Sequence, residues 1–278
     1  MTVTNSVIAG ARSSADTDHR PALRPSFWRR LTADPAHGPL PALLVGLTLL
    51  TGIVDAVSIL ALGRVFVANM TGNVVFVGFA LAGAAGFSLV GSLAGLVGFL
   101  AGAGAGGRLI HRFGDDRARM LAAGSGFELV LVGAALFVVA VSGPSLSPAG
   151  RDLAAGLLAV ALGMQNAIVR RLAVPDLTTT VLTMTLTGIA ADIRHGKPTP
   201  AFARRLLAVS TMLAGAFGGA ELVLHASAAA GLALATALLA VVTVAAARTT
   251  RRPGNWREVK APASAPRPPV DITNSPKG

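Results

Sequence analysis

Cysteine does not occur in the 278-residue chain, so disulfides, thiolate metal sites and cysteine nucleophiles are excluded together. Charge is scarce as well. Asp, Glu, Lys and Arg make up 13% of the residues, against roughly 25% in an ordinary soluble domain. The scarcity is uneven: of 24 Lys and Arg, five precede residue 31 and seven lie at or after Arg248. Catalytic signatures are missing too, with no HExxH, no GxSxG and no His or Asp set at metal-ligand spacing. The five histidines (His19, His37, His111, His195 and His225) fall in tails, connectors or segment ends. The run Gly102-Ala-Gly-Ala-Gly-Gly107 lacks the strand and βα unit that a nucleotide loop needs. These absences exclude a soluble enzyme, a disordered regulator and a disulfide scaffold. Neither a cofactor nor a metal is expected, and the chain reads as a non-enzyme.

What is present is an interior of Ala, Gly, Leu and Val, with 53% apolar residues overall. That is the composition of a multi-pass membrane protein. The net charge of +11 would suggest a nucleic-acid partner in a soluble chain. Here it reads as loops and tails facing an anionic cytoplasmic leaflet, so the expected partner is the lipid bilayer and not nucleic acid. Residues 1–38 carry no apolar periodicity and read as a disordered tail, too long and too charged for a signal peptide. Residues 249–278 are basic and Pro-rich and read as a second disordered tail, with Trp256 as a candidate headgroup contact. The transmembrane domain is then 39–248.

Eight apolar segments fill that domain, at about 40–62, 65–85, 87–107, 119–142, 152–169, 177–193, 203–223 and 226–247. Each is near the ~20 residues that a helix needs to span the hydrocarbon. Helices are the only spanning structure that this Ala- and Leu-rich composition supports. The segments also repeat. Gly52, Asp55 and Ala56 return as Gly163, Asn166 and Ala167; Met70-Thr71 returns as Met184-Thr185; Gly102 and Gly106 return as Gly215 and Gly219. The order is kept, which suggests a duplication with one repeat at about 40–142 and the other at about 152–247.

Charge decides the topology. If all eight segments cross, seven basic residues outside the tails face out and five face in, against the positive-inside rule. If segments two and six dip in and return, ten face the cytoplasm and two, Arg64 and Arg151, face out. The expected fold is therefore an all-α helical bundle of two internal repeats, with six crossings and two re-entrant or broken segments. Seven or eight full crossings are the alternative. Three crossings per half make the repeats inverted, a recurring way to build a solute site whose broken segments meet near the midplane.

Candidate site residues are the polar groups at depth. Asp55 lies amid Ile53, Val54, Ala56 and Val57, where a carboxylate costs at least ~2.5 kcal/mol. It must face a partner or water, or carry a proton, and it serves either a transport path or a structural anchor. Asn69, Thr71 and Asn73, around Gly72, suit a bent tip facing a solute; helix–helix hydrogen bonding is the alternative. Thr183, Thr185 and Thr187 form the counterpart in the second half, and Gln165 and Asn166 lie at the position matching Asp55. Glu128 is a second intramembrane acid. Asp192 reads as an interfacial ion pair, and Glu221 and His225 as helix-end residues. The glycines Gly91, Gly95, Gly98, Gly102 and Gly106, at three- and four-residue spacing, read as a close-packing face.

Two blocks carry a family resemblance. Gly52-Ile-Val-Asp55-Ala-Val-Ser58 with Gly63-Arg-Val-Phe66-Val-Ala-Asn69-Met-Thr71-Gly-Asn73 resembles the signature of the YoaK-like family of bacterial membrane proteins. Gly163-Met-Gln165-Asn166-Ala-Ile-Val-Arg170-Arg171, Asp176-Leu-Thr178-Thr-Thr180 and Thr183-Met-Thr185-Leu-Thr187-Gly188 resemble its second half. The resemblance spans about residues 40–247 and implies a multi-pass inner-membrane protein without supplying catalytic residues. The functional expectation comes from the residues: a transporter or channel for a small solute, proton-coupled through Asp55, with both termini cytoplasmic and a homo-oligomer compatible with the sequence. A membrane-embedded enzyme on a lipid-type substrate and a non-catalytic scaffold are the competing classes.

Overall fold

A computed structural model describes residues 36–114, 116–143, 146–175, 177, 182–193 and 199–258. Among these residues the chain forms eight α-helices and no strand. They are α1 (Leu40–Ala61), α2 (Met70–Leu81), α3 (Leu89–Phe113), α4 (Arg117–Ser142), α5 (Pro148–Leu172), α6 (Leu182–Ile193), α7 (Pro200–His225) and α8 (Ala228–Thr249), followed by a 3₁₀ turn at Asn255–Arg257. Starts are set locally. Ser88, Asp116, Ser147, Thr199 and Ser227 each accept a hydrogen bond from a backbone N–H of the first turn, and Pro148 and Pro200 open α5 and α7.

Six helices are long and apolar enough to cross a bilayer, whereas α2 and α6 have 12 residues each. Twelve residues rise about 18 Å, so α2, bounded on both sides by described non-helical residues, is short of the ~30 Å hydrocarbon layer, while α6 is twelve residues long within its described range. Sequence had given segments two and six nearly full spanning length. In the first half the difference arises because residues 62–69 are not helical and the helix starts only at Met70.

Helix directions follow from side-by-side contacts. Leu49 lies against Gly215 and Ile53 against Gly219, so α1 and α7 run the same way. Gly98 lies against Gly156 and Gly106 against Met164, so α3 and α5 are parallel too. Arg117 at the start of α4 donates to the Leu172 carbonyl at the end of α5 (2.5 Å), and Thr243 near the end of α8 donates to the Ser125 carbonyl of α4 (3.2 Å). Both of those pairs are antiparallel. The start of α1 and the segment after α8 meet at Arg117, through His37 and Trp256. This is the tail end of the bundle; the opposite end is the far end. It follows that α1 leaves and α3 departs at the far end, while α5 leaves and α7 departs at the tail end. The segments containing α2 and α6 each return to the end from which they started.

The packing order centres on α1 and α5. α1 packs on α7 and α8, α5 packs on α3 and α4, α4 packs on α8, and α1 touches α5. α2 packs on α3 and α6 on α7. The two short helices make no contact with each other, so the expected meeting of two re-entrant elements is not seen between these helices.

Candidate functional site

On α1 the residues Thr48, Thr51, Asp55 and Ser58 fall at three- and four-residue spacing, which puts them on one face. Thr48 and Thr51 turn their hydroxyls back to Leu44 O (2.8 Å) and Leu47 O (2.9 Å). The lower pair instead serve the chain that follows α1. After Ala61 the backbone reverses at Gly63 and Arg64, both with positive φ, and descends again beside the helix. The Ser58 hydroxyl donates to Val65 O. The backbone N–H groups of Val67 and Ala68 lie at the Asp55 carboxylate and favour its charged form. Asp55 lies six residues before the end of α1, so this limb re-enters the bundle by about 9 Å.

Asn73 completes the grip. Its Nδ2 donates to Phe66 O (2.6 Å) and its Oδ1 accepts from Phe66 N–H (2.9 Å). Val65 lies against Gly91 and Gly95 of α3 and the Asn73 amide against Gly95, where a Cβ would collide with both. Backbone this deep in a membrane has no water to bond to. The side chains of Asp55, Ser58 and Asn73 satisfy it instead. Asn69 and Thr71 face outward and are exposed, and Asn69 makes no capping bond to α2. The structure thus brings Asp55 and Asn73 together on one limb and leaves Asn69 and Thr71 apart from them.

The second half is less uniform. Gln165 is buried and its Nε2 donates to Thr51 Oγ1 across the α1–α5 contact (3.0 Å). Asn166 donates to Leu162 O on its own helix (3.0 Å). Thr187 donates back to Thr183 O (2.9 Å), and both are exposed, whereas Thr185 is buried. The three threonines therefore do not share a face. Thr178, Thr179 and Thr180 lie outside the described residues. Asp192 pairs with Arg205 (2.8 Å), and Glu221 with His225 (3.4 Å), as expected of helix ends.

Among the described residues, three buried oxygens in the spanning region have no hydrogen-bond partner: Asp55 Oδ1, Glu128 Oε1 and Gln165 Oε1. All three are acceptors, on α1, α4 and α5. Gly124 of α4 lies against Ile168 of α5. With those helices antiparallel, Glu128, one turn further on, comes to the level of Met164 and Gln165. No group of three or more His, Cys, Asp or Glu that could hold a metal occurs among the described residues.

Sequence reading missed a second polar cluster, at the tail end. Arg117 Nη1 reaches His37 Nδ1 (3.3 Å) and Trp256 O (3.4 Å), while Nη2 holds Leu172 O. Asp116 caps α4 through Ala118 N–H (3.0 Å) and Arg119 N–H (3.1 Å), and also binds Arg257, whose Nε lies 3.3 Å from Oδ1. The Trp256 ring lies over Gly38, where any Cβ would overlap it. Residues up to Glu258, read from sequence as part of a disordered tail, are thus docked onto the α3–α4 connector. Burial pushes the Asp116 carboxyl up, but the hydrogen bond from Arg257, the capping amides and the Arg257 charge outweigh it and hold the group below its ordinary value. The available signal was an Asp at the start of an apolar run, a standard N-cap.

Comparison with known proteins agrees with this architecture. A family described as "Protein of unknown function (DUF1275)" matches residues 43–245, which run from α1 into α8. The chain is 31% identical over 151 residues to the UPF0700 transmembrane protein YoaK of Bacillus subtilis (strain 168), covering 54% of this chain and 66% of that protein, just under two thirds of its length. No solved structure matches. The family match covers nearly the whole helical bundle, and the chain belongs to this YoaK-like family of multi-pass membrane proteins.

Proposed function

We propose that the protein is a bacterial plasma-membrane transporter or channel for a small solute, and that Asp55 couples its cycle to protons. The observation that carries the reading is the re-entrant limb at 62–69. It is held inside the bundle by a carboxylate whose other oxygen, Asp55 Oδ1, is buried and unpartnered. Ionised Asp55 grips the Val67 and Ala68 amides through charge-assisted hydrogen bonds. Protonation weakens that grip, because a neutral carboxyl is a poorer acceptor, and frees the limb to move.

An inverted repeat supports the same reading. α1, α3 and α4 run up, down and up from the tail end, whereas α5, α7 and α8 run down, up and down. The glycine contacts also correspond residue by residue. Leu49 O meets Gly215 as Val160 O meets Gly102; Gly52 meets Met212 O as Gly163 meets Phe99 O; Gly219 meets Ile53 O as Gly106 meets Met164 O. Broken elements between such repeats are where transporters bind solutes. Among the described residues between the tails, Arg108, Arg112, Arg117, Arg119, Arg170, Arg171, Arg204 and Arg205 belong to the tail end and only Arg64 and Arg151 to the far end, which supports cytoplasmic tails. An enzyme would need a second acid–base side chain beside Asp55, whose partners here are backbone amides.

The test is flux in reconstituted vesicles carrying an internal pH dye, screened against a panel of small solutes. Wild-type flux should depend on pH, and Asp55→Asn should remove that dependence. Flux in Asp55→Asn with an unchanged pH profile would rule out coupling through this residue. Cellular function lost on deleting the tails, while vesicle flux is unaffected, would favour the scaffold class.

A further inference from the structure

At the tail end, beside the docked C-terminal turn, lies an open cavity of about 440 Å³ between the ends of α3 and α5 and the start of α4. We propose that it binds the phosphate headgroup of an anionic phospholipid, whose acyl chains lie along the outward face of α3.

The charge around the cavity comes from three helices: Arg112 from α3, Arg119 from α4 and Arg171 from α5, with the His111 ring beside them. Among the described residues Asp116 is the one acid on its wall, and it is already committed to the α4 cap and to Arg257, with Arg119 Nε 3.4 Å away. Arg112 and Arg171 pair with no carboxylate among the described residues, so the described wall carries an excess of guanidinium over carboxylate. Planar guanidinium forks match phosphate oxygens. Basic pockets between helix ends on the cytoplasmic side are a recognised setting for anionic headgroups.

The adjoining surface favours a lipid over free phosphate. Val90, Leu93, Val97 and Leu100 are exposed along α3, and the same helical spacing continues through Gly104 and Gly107 to His111 at the cavity. A Cβ at Gly107 would meet nothing within 4 Å, and one at Gly104 would approach only Arg108, at 3.9 Å. The apolar face therefore leads into an open lane across two exposed glycines and ends at the arginines. Ile110 and Phe113 on the cavity wall supply further apolar contact at headgroup depth.

Native mass spectrometry of the delipidated full-length protein, titrated with phosphatidylglycerol, phosphatidylcholine or inorganic phosphate, tests this. Phosphatidylglycerol should be retained in preference to phosphatidylcholine. Losing two cations, at roughly fivefold each near an anionic lipid, should make Arg112→Gln with Arg171→Gln weaken phosphatidylglycerol roughly thirtyfold. Arg64→Gln with Arg151→Gln, at the far end, should leave it unchanged. Gly107→Leu fills the lane, keeps every charge and strengthens the helix; it should weaken the lipid and spare inorganic phosphate. The altered side chains are exposed, and matched thermal midpoints report that the variants fold. Equal retention of both lipids, or full retention by the double arginine variant, overturns the proposal. So does inorganic phosphate binding as tightly as phosphatidylglycerol with Gly107→Leu having no effect, since the site would then be one for free phosphate.

Discussion

Asn73 supplies to the chain what a neighbouring strand supplies in a sheet: a donor and an acceptor at one backbone residue, Phe66. Its role is legible only once that limb is seen. From sequence the residue looks like a solute ligand, because an amide amid apolar residues invites that reading. In the structure both ends of the amide are occupied by backbone. Asn73→Ala should therefore lower stability by roughly 1–3 kcal/mol, since two part-buried backbone groups lose their partners. Thermal midpoints in detergent would measure it, and an unchanged midpoint would refute the clamp. Asp55 differs because one of its oxygens stays unpartnered. The same carboxylate can thus hold structure through one oxygen and be open to a proton or cation at the other. Glu128, a single acid in an apolar run, was visible in the sequence; that Gln165 bonds Thr51 across helices was not, because the partners are 114 residues apart.

At the scale of elements, two helix pairs are welded by glycine. A Cβ at Gly52, Gly102, Gly163 or Gly215 would overlap backbone of the partner helix, and backbone cannot step aside. Each Gly→Ala at these four positions should cost at least about 1–3 kcal/mol, the usual penalty of overpacking. Gly133→Ala and Gly218→Ala, with nothing within 4 Å, should be neutral or slightly stabilising. Unfolding in mixed micelles would compare the two sets, and equal behaviour would mean that the close crossings are not the source of stability. The sequence showed the glycine spacing in segment three and its echo in segment seven. It could not show that segment three packs on five and one on seven, since spacing names a face and not its partner.

For the whole molecule, the docked turn after α8 ties itself and the segment before α1 to the α3–α4 connector and the start of α4. Asp116 is held below its ordinary value, so this contact is fully present above the ordinary aspartate value of about 4 and is lost as pH falls through the lower folded value. Trp256 fluorescence, with Trp28 replaced, should report undocking below about pH 4 and not near neutrality. Arg257→Ala should release the turn already at pH 7, and a Trp256 signal insensitive to Arg257→Ala would overturn the docking. Topology is testable in the same molecule. Reporters at Gly114 and at Ala226 should read cytoplasmic and external respectively, and an external reading at Gly114 would restore eight crossings.

Composition and charge placement determined the class by themselves. A chain with so few charges must lie in lipid, lipid admits only helices here, and the arginine asymmetry alone favours six crossings over eight. These are properties of local stretches averaged over a bilayer, and they need no knowledge of partners. Tertiary structure decided what the polar residues at depth do. An acid or amide in an apolar run has to be satisfied, and the group that satisfies it is chosen by where the chain doubles back. For Asp55 and Asn73 that group is their own re-entrant limb, and for Gln165 it is a threonine on another helix. The docked tail was hidden for the same reason: Asp116 and Arg257 are 141 residues apart, and only the antiparallel return of α8 brings them to one end of the bundle.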